Sequence, residues 1–180
     1  MRVLVLANRV GHEVQRPVSQ EGDSLQVRKV EFEEMLRRLV EQRQIQFIGE
    51  EASYDWETST ARALGVRWEN IDMPMFERER RGILDEQKQR ARAPRYLGDQ
   101  ARTVLLEDGY QRDLGNGWVE LEVRLPSDVV REQFMFDKVQ EHVGDADSIL
   151  VICGIIHGHK LAERFRRSGA SVEVETWPCL

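Results

Sequence analysis

The sequence predicts an α/β fold in which a mainly parallel sheet is flanked by helices. Short all-apolar runs, of which residues 149–153 are the clearest, are typical of strands buried on both faces of a sheet. Stretches with helical spacing of apolar residues lie between these runs. The N-terminal part of the chain therefore reads strand, helix, strand, helix, strand, which is the order of a parallel sheet covered by helices.

Three strands alternate with two helices in this N-terminal part. The five elements are predicted, in order, at residues 2–7, 30–44, 45–48, 53–64 and 66–71. The strands are short apolar runs, whereas the first helix has Phe32, Leu36 and Leu39 on one face. Gly65 is the predicted C-cap of the second helix, because helices commonly end on a residue in the left-handed conformation.

The segment at residues 76–110 differs in composition from the rest of the chain. Its first part, residues 76–95, is crowded with arginine, glutamate and glutamine and has few apolar residues. We therefore predict that residues 76–110 form a variable, lid-like helical insertion. Residues 76–95 should be the most mobile helical part of the chain, with backbone hydrogens that exchange faster than those of residues 149–153. The whole chain, residues 1–180, is predicted to be a single α/β domain that carries this insertion.

The C-terminal part adds a small antiparallel hairpin and further parallel strands. Apolar and charged residues alternate at residues 119–125, and the preceding Gly115-Asn116-Gly117 is typical of a hairpin turn. Pro126 ends this strand, and Ser127 is predicted to cap a helix that runs to His142. The last elements are a strand at residues 149–153, a helix at 160–167 and a strand at 172–176.

The composition is that of a globular protein without a disulfide framework. Hydrophobic residues make up 41% of the 180 residues and charged residues 32%, and the net charge of −6 argues against general nucleic-acid binding. The cysteines, Cys153 and Cys179, lack metal-type spacing, and we predict a buried, inert thiol for Cys153. No apolar run has the length of a signal peptide or membrane span, so we expect a cytoplasmic protein without a membrane partner. Homo-oligomerisation is left open.

Ionisable residues follow the ends of the predicted parallel strands. His12 follows the first strand through one loop, Glu50 and Glu51 follow the second, Asp72 the third, and His157 the late strand. Parallel strands end at one edge of a sheet, where ligands bind in folds of this class. We predict that His12, Glu50 and His157 converge there, since histidines and carboxylates can bind a divalent metal or act as acid and base.

Each of these residues also has a simpler structural explanation. Glu50 and Glu51 could stabilise the positive N-terminus of the next helix. His12 could be a solvated loop residue, and Asp72 a turn residue before a proline. His142 suits the negative end of a predicted helix and is not counted among the site residues.

The two histidines differ in the substitution effects that we expect. Because His157 is predicted to lie in a turn, its replacement by alanine should abolish activity at a stability cost within about 1 kcal/mol. Replacement of His142 by alanine should change neither activity nor stability.

The ordered set of motifs resembles the Tiki/TraB superfamily, whose relatives include erythromycin-esterase-like and ChaN-like haem-uptake proteins. Members share a histidine after the first strand, a glutamate or glutamate pair after the next, and a late strand-Gly-x-x-His-helix motif. Here Glu50-Glu51 and Gly154-Ile-Ile-His157 match the last two features. Arg131-Glu132-Gln133-Phe134-Met135 is similar to a helix motif before the late strand. The family's first histidine usually closes its own Gly-x-x-His, and Arg9 occupies the matching position here.

The resemblance implies a hydrolase acting on a small-molecule or peptide substrate. In this interpretation His12, Glu50 and His157 hold a divalent metal, whose identity the motifs do not specify, or activate water. Glu51 orients or assists these groups. Arg131 holds the carboxylates of the site or faces the oxyanion of the substrate.

Two other classes of function remain open. A non-catalytic protein would bind haem, a nucleotide or a partner protein in the same pocket, and would need apolar walls with few converging ionisable groups. A nuclease-like protein would place the basic residues of segment 76–95 over an acidic metal site. The superfamily includes metal-dependent proteases, metal-independent esterases and haem binders, so the fold alone does not decide between these classes.

Overall fold

Two sheets make up the strand content of the computed structural model, which describes residues 1–8, 24–51, 61–84, 94–102, 104–106 and 109–177. In chain order the elements are β1 (Arg2–Asn8), α1 (Ser24–Arg43), β2 (Phe47–Glu50), β3 (Arg67–Asn70), α2 (Met75–Arg80), β4 (Pro94–Tyr96), β5 (Val104–Leu106), β6 (Gly109–Gly115), β7 (Trp118–Val123), α3 (Pro126–Gln140), β8 (Ser148–Gly154), α4 (Ile155–Arg167) and β9 (Ser171–Trp177). The chain divides into two compact units. The first unit comprises Met1–Asp72 and Phe134–Cys179, and the second comprises Met73–Gln133.

The larger sheet belongs to the first unit and is parallel throughout, with the order β3-β2-β8-β1-β9. Helices flank it, which confirms the α/β fold predicted from the sequence. One face of the sheet packs against apolar residues of α3 and α4, including Met135, Val139 and Phe165. The other face packs against α1 through Phe32 and Leu36. Because both faces are covered, the inner strands β1 and β8 are apolar on both sides.

After the neighbouring inner strands β1 and β8, the chain passes to opposite faces of the sheet. After β1 it runs through α1 on one face, and after β8 it runs through α4 on the other. Neighbouring strands that diverge in this way leave a crevice at their carboxyl ends, which is where ligands bind in open α/β sheets. Asn8 and Gly154 are register partners at that edge.

Most sequence-predicted elements of this unit are present, with shifted ends. Helix α1 begins at Ser24 rather than at residue 30, and β2 extends far enough to include Glu50. Helix α4 begins directly after Gly154 rather than at residue 160. Cys153 lies within β8 with 2% of its surface exposed, which confirms that its thiol is buried.

The prediction of a helix at residues 53–64 falls mostly outside the described residues. Its described end is a 3-10 turn at Arg62–Leu64. Gly65 follows with φ of 72°, in the left-handed region, which confirms its predicted role as a C-cap.

The second unit contains a four-stranded antiparallel sheet with the order β4-β7-β6-β5. The predicted hairpin is present as β6 and β7. Gly115, Asn116 and Gly117 all have positive φ at its turn, as the tight turns between antiparallel strands require. The sequence-predicted hairpin is therefore confirmed as part of a larger sheet.

The helical prediction for residues 76–110 is correct only near its start, at α2. The described residues from 94 onward in that range contribute β4, a 3-10 turn at Gly98–Gln100, β5 and the beginning of β6. Their short runs carry no readable strand period, and the strand conformation arises from pairing with β6 and β7. Residues 85–93 lie outside the described residues.

Helix α3 begins one residue before the predicted cap, Ser127. Pro126 occupies its first position, where the absent backbone N–H is not needed. The Asp128 carboxylate accepts a hydrogen bond of 2.7 Å from the backbone N–H of Leu125. The helix is therefore capped by an acid reaching back from its first turn, and the prediction that Ser127 is the cap was wrong.

The described helices are also too short or too polar to span a lipid bilayer.

Candidate functional site

Glu51 and His157 lie together at the carboxyl edge of the parallel sheet. Glu51 follows β2, and its backbone N–H donates to the Ile152 carbonyl at 2.8 Å, which extends the pairing with β8. Its carboxylate Oε2 accepts the Gly154 backbone N–H at 2.7 Å. The other oxygen, Oε1, lies 3.6 Å from His157 Nε2, and both side chains are at least nine-tenths buried. One carboxylate therefore faces both a helix N-terminus and an imidazole.

Helix α4 fixes the position of His157. Gly154 is the N-cap residue, and His157 is the third residue of the helix rather than a turn residue, which corrects the sequence interpretation. The next residue, Gly158, packs on β1 so closely that an added Cβ would lie 2.6 Å from the Ala7 Cβ. Because α4 packs this closely against the strand, His157 is held on a rigid element and is only 2% exposed.

The Glu51 carboxylate also supplies the negative charge that the N-terminus of α4 lacks. Within the described residues, α4 has no acidic side chain in its first turn and no side-chain cap. An anion near a helix N-terminus is stabilised by the helix dipole. This carboxylate therefore has the helix-stabilising role considered from the sequence, at the N-terminus of α4.

Glu50 has a separate hydrogen-bond partner. It is the last residue of β2, 6% exposed, and shares a face of the strand with Ile48. Its carboxylate Oε2 accepts a hydrogen bond of 2.8 Å from the Trp68 indole N–H on the neighbouring strand β3. Trp68 was not among the residues predicted from the sequence. The available signal was a tryptophan in a strand next to a strand that ends in two glutamates.

The other sequence-predicted residues have different places. His12 lies outside the described residues. Arg131 is buried and belongs to the part of α3 in the second unit, so its role in the site stays a prediction. The backbone N–H of Asp72 donates to Asn70 Oδ1 at 2.9 Å, which is a turn arrangement and supports the structural explanation for Asp72. His159 is exposed.

The donor atoms of Glu51 and His157 are compatible with a shared divalent ion. Two ligands of one tetrahedral ion, with bonds of roughly 2.0–2.2 Å, lie about 3.4 Å apart. The separation of 3.6 Å between Glu51 Oε1 and His157 Nε2 is close to that distance. The same separation also suits a carboxylate that orients an imidazole without a metal. Among the described residues, the three metal-ligating side chains grouped within 4.8 Å of one another are instead Glu69, Glu141 and His142.

Comparison of the chain with protein-family models, curated proteins and solved structures found no match. The Tiki/TraB resemblance therefore stands on the sequence motifs.

Proposed function

We propose that the protein is a hydrolase of the Tiki/TraB type whose site lies at the carboxyl ends of the parallel strands. The observation that carries the proposal is the position of Glu51. One of its oxygens is anchored by the Gly154 N–H, and the other lies 3.6 Å from His157 Nε2. A carboxylate fixed beside an imidazole is the arrangement that orients a general base.

In this mechanism His157 accepts a proton from the attacking water, and Glu51 holds the ring and stabilises the imidazolium that forms. A divalent ion held by the same two side chains would, when bound, lower the pKa of its water. Glu50 keeps a fixed orientation through Trp68 and supplies a second carboxylate at the end of β2. The substrate is a small molecule or peptide with a hydrolysable bond.

The proposal is tested with His157→Gln and a matched control on the same helix, His159→Gln, because His159 is exposed. Purified proteins are assayed against ester, peptide and phosphoester substrates, with and without chelator. We expect the His157 variant to lose about 100-fold or more in rate, and the His159 variant to retain wild-type turnover. Loss of activity with chelator assigns the reaction to the metal-dependent form.

Two outcomes contradict the proposal. The first is equal turnover by the His157 variant and the wild type. The second is a wild-type protein that turns over none of the three substrate classes, which favours the non-catalytic binding class.

A further inference from the structure

A second group of metal-ligating side chains lies in the first unit, formed by Glu69, Glu141 and His142. One ligand atom from each lies within 4.8 Å of the other two. Glu69 comes from β3, whereas Glu141 and His142 come from the turn that follows α3. The group therefore joins a sheet strand to a helix end.

We propose that Glu69, Glu141 and His142 bind a first-row divalent transition-metal ion such as Zn²⁺. The imidazole selects this class of ion, because Ca²⁺ and Mg²⁺ prefer sites made of oxygen ligands alone. The group lies just past the C-terminal end of α3, where the helix dipole favours a cation. This inference does not rest on the proposed hydrolase activity.

The His142 ring is held in place by its contacts with the protein. It stacks on the fully buried Phe47 ring, with centroids 4.3 Å apart and an interplanar angle of 31°. Its Nε2 is hydrogen-bonded to the Glu69 carboxylate. One nitrogen of the ring therefore already faces a second ligand of the proposed site, which lowers the ordering cost of binding.

Lys138 places a positive charge beside the two carboxylates of the group. Its ammonium Nζ lies 2.9 Å from Glu141 Oε2 and 3.8 Å from Glu69 Oε1. Because the Lys138 side chain is 32% exposed, it can move into solvent when an ion replaces it. Lys138 therefore competes with the metal for the two carboxylates.

Arg67 sets the tautomer of His142. Its Nη2 donates to His142 Nδ1 at 2.6 Å, which leaves the ring proton on Nε2 facing Glu69. When Nε2 binds the ion, the proton moves to Nδ1 and Arg67 must turn away. Asp145 is its alternative partner, since both terminal nitrogens of Arg67 already lie 3.3 Å from Asp145 Oδ2.

The test is equilibrium dialysis of the purified protein against ZnCl₂, in a His157→Gln background so that a metal at the proposed hydrolytic site does not contribute. We expect one equivalent of Zn²⁺ whose affinity falls at least about tenfold in His142→Ala and in Glu141→Gln. Glu141 provides the second variant because it is exposed, and substitution of an exposed side chain should change the free energy of unfolding little. Lys138→Ala should bind Zn²⁺ more tightly, because the competing ammonium is removed. His159→Ala is the control for binding by a surface histidine.

Three results would overturn the inference. One is the absence of Zn²⁺ binding in the His157→Gln background. Another is an equal loss of affinity in His142→Ala and His159→Ala, which would indicate nonspecific binding by histidines. The third is weaker binding by Lys138→Ala, which would show that the lysine supports the group rather than competing with an ion.

Discussion

Glu51 lies 3.6 Å from His157 although the two residues come from distant parts of the sequence. Their proximity follows from the pairing of β2 with β8, which places the residue after one strand beside the helix that follows the other. The backbone N–H of Gly154 fixes one oxygen of the carboxylate at 2.7 Å and leaves the other facing the imidazole. Removal of the charge and removal of the hydrogen bond can therefore be separated by substitution.

Glu51→Gln should separate these two roles. The glutamine oxygen can still accept the Gly154 N–H, so the free energy of unfolding should fall by less than about 1 kcal/mol. The charge beside His157 is lost, so turnover should fall about 100-fold. Thermal denaturation and rate measurements test both effects, with Glu163→Gln on the exposed part of α4 as the control. Turnover equal to that of the wild type would show that the carboxylate only caps the helix.

The structure changes the expected stability effects of the two histidine substitutions. His157 is 2% exposed within α4, so His157→Ala should lower the free energy of unfolding by about 2–3 kcal/mol rather than within 1 kcal/mol. His142→Ala removes a hydrogen bond to Glu69 and a ring packed on Phe47, and should cost about 1 kcal/mol rather than nothing. Urea denaturation measures both values. A smaller loss in the free energy of unfolding for His157→Ala than for His142→Ala would contradict the expectation that the more buried histidine contributes more to stability.

The strands of the parallel sheet were predictable from sequence because burial on both faces leaves a continuous apolar run. Residues 149–153 show that signal directly, and β8 contains all of them. The strands β4 and β5 were not predictable, since three-residue strands carry no readable period and owe their conformation to pairing with β7 and β6. The local helix propensity of the sequence did predict α2, which lies at the start of the segment 76–110.

The location of the candidate site was predictable from the sequence, but which of its side chains contact each other was not. The strand ends identified Glu50, Glu51 and His157 as residues of one edge. Which of the two adjacent glutamates faces His157 depends on side-chain direction at the end of β2, and the sequence does not contain that information. Trp68 was missed for the same reason, because its indole N–H contacts Glu50 only through the register of β2 and β3.

The segment at residues 76–95 should exchange its backbone hydrogens faster than β8. Its described helix, α2, leaves Phe76 69% exposed, whereas residues 149–153 of β8 are all buried. Little buried apolar surface means that local opening costs little free energy. Hydrogen exchange followed by mass spectrometry tests this, and equally slow exchange in the two segments would contradict it.

Cys153 should react slowly with a thiol reagent in the native protein. It is 2% exposed and lies in the apolar cluster on the α3 and α4 face of the sheet. A thiol in apolar surroundings stays protonated and is a poor nucleophile. Mass spectrometry after timed labelling should find Cys179 modified first and Cys153 only after denaturant is added. Rapid native labelling of Cys153 would show that β8 opens readily.

The hydrogen bond between Trp68 and Glu50 should stabilise the fold by orienting a buried carboxylate. The indole N–H donates at 2.8 Å to an acid that is 6% exposed. Trp68→Phe removes one donor from a buried charge and should lower the free energy of unfolding by about 1–3 kcal/mol. In Glu50→Gln the charge is absent, so adding Trp68→Phe should cost less. A double-mutant cycle of the four proteins by urea denaturation gives the coupling energy, which we expect at about 1–2 kcal/mol. If the two costs were strictly additive, the tryptophan would act through packing alone and Glu50 would be held by its other contacts.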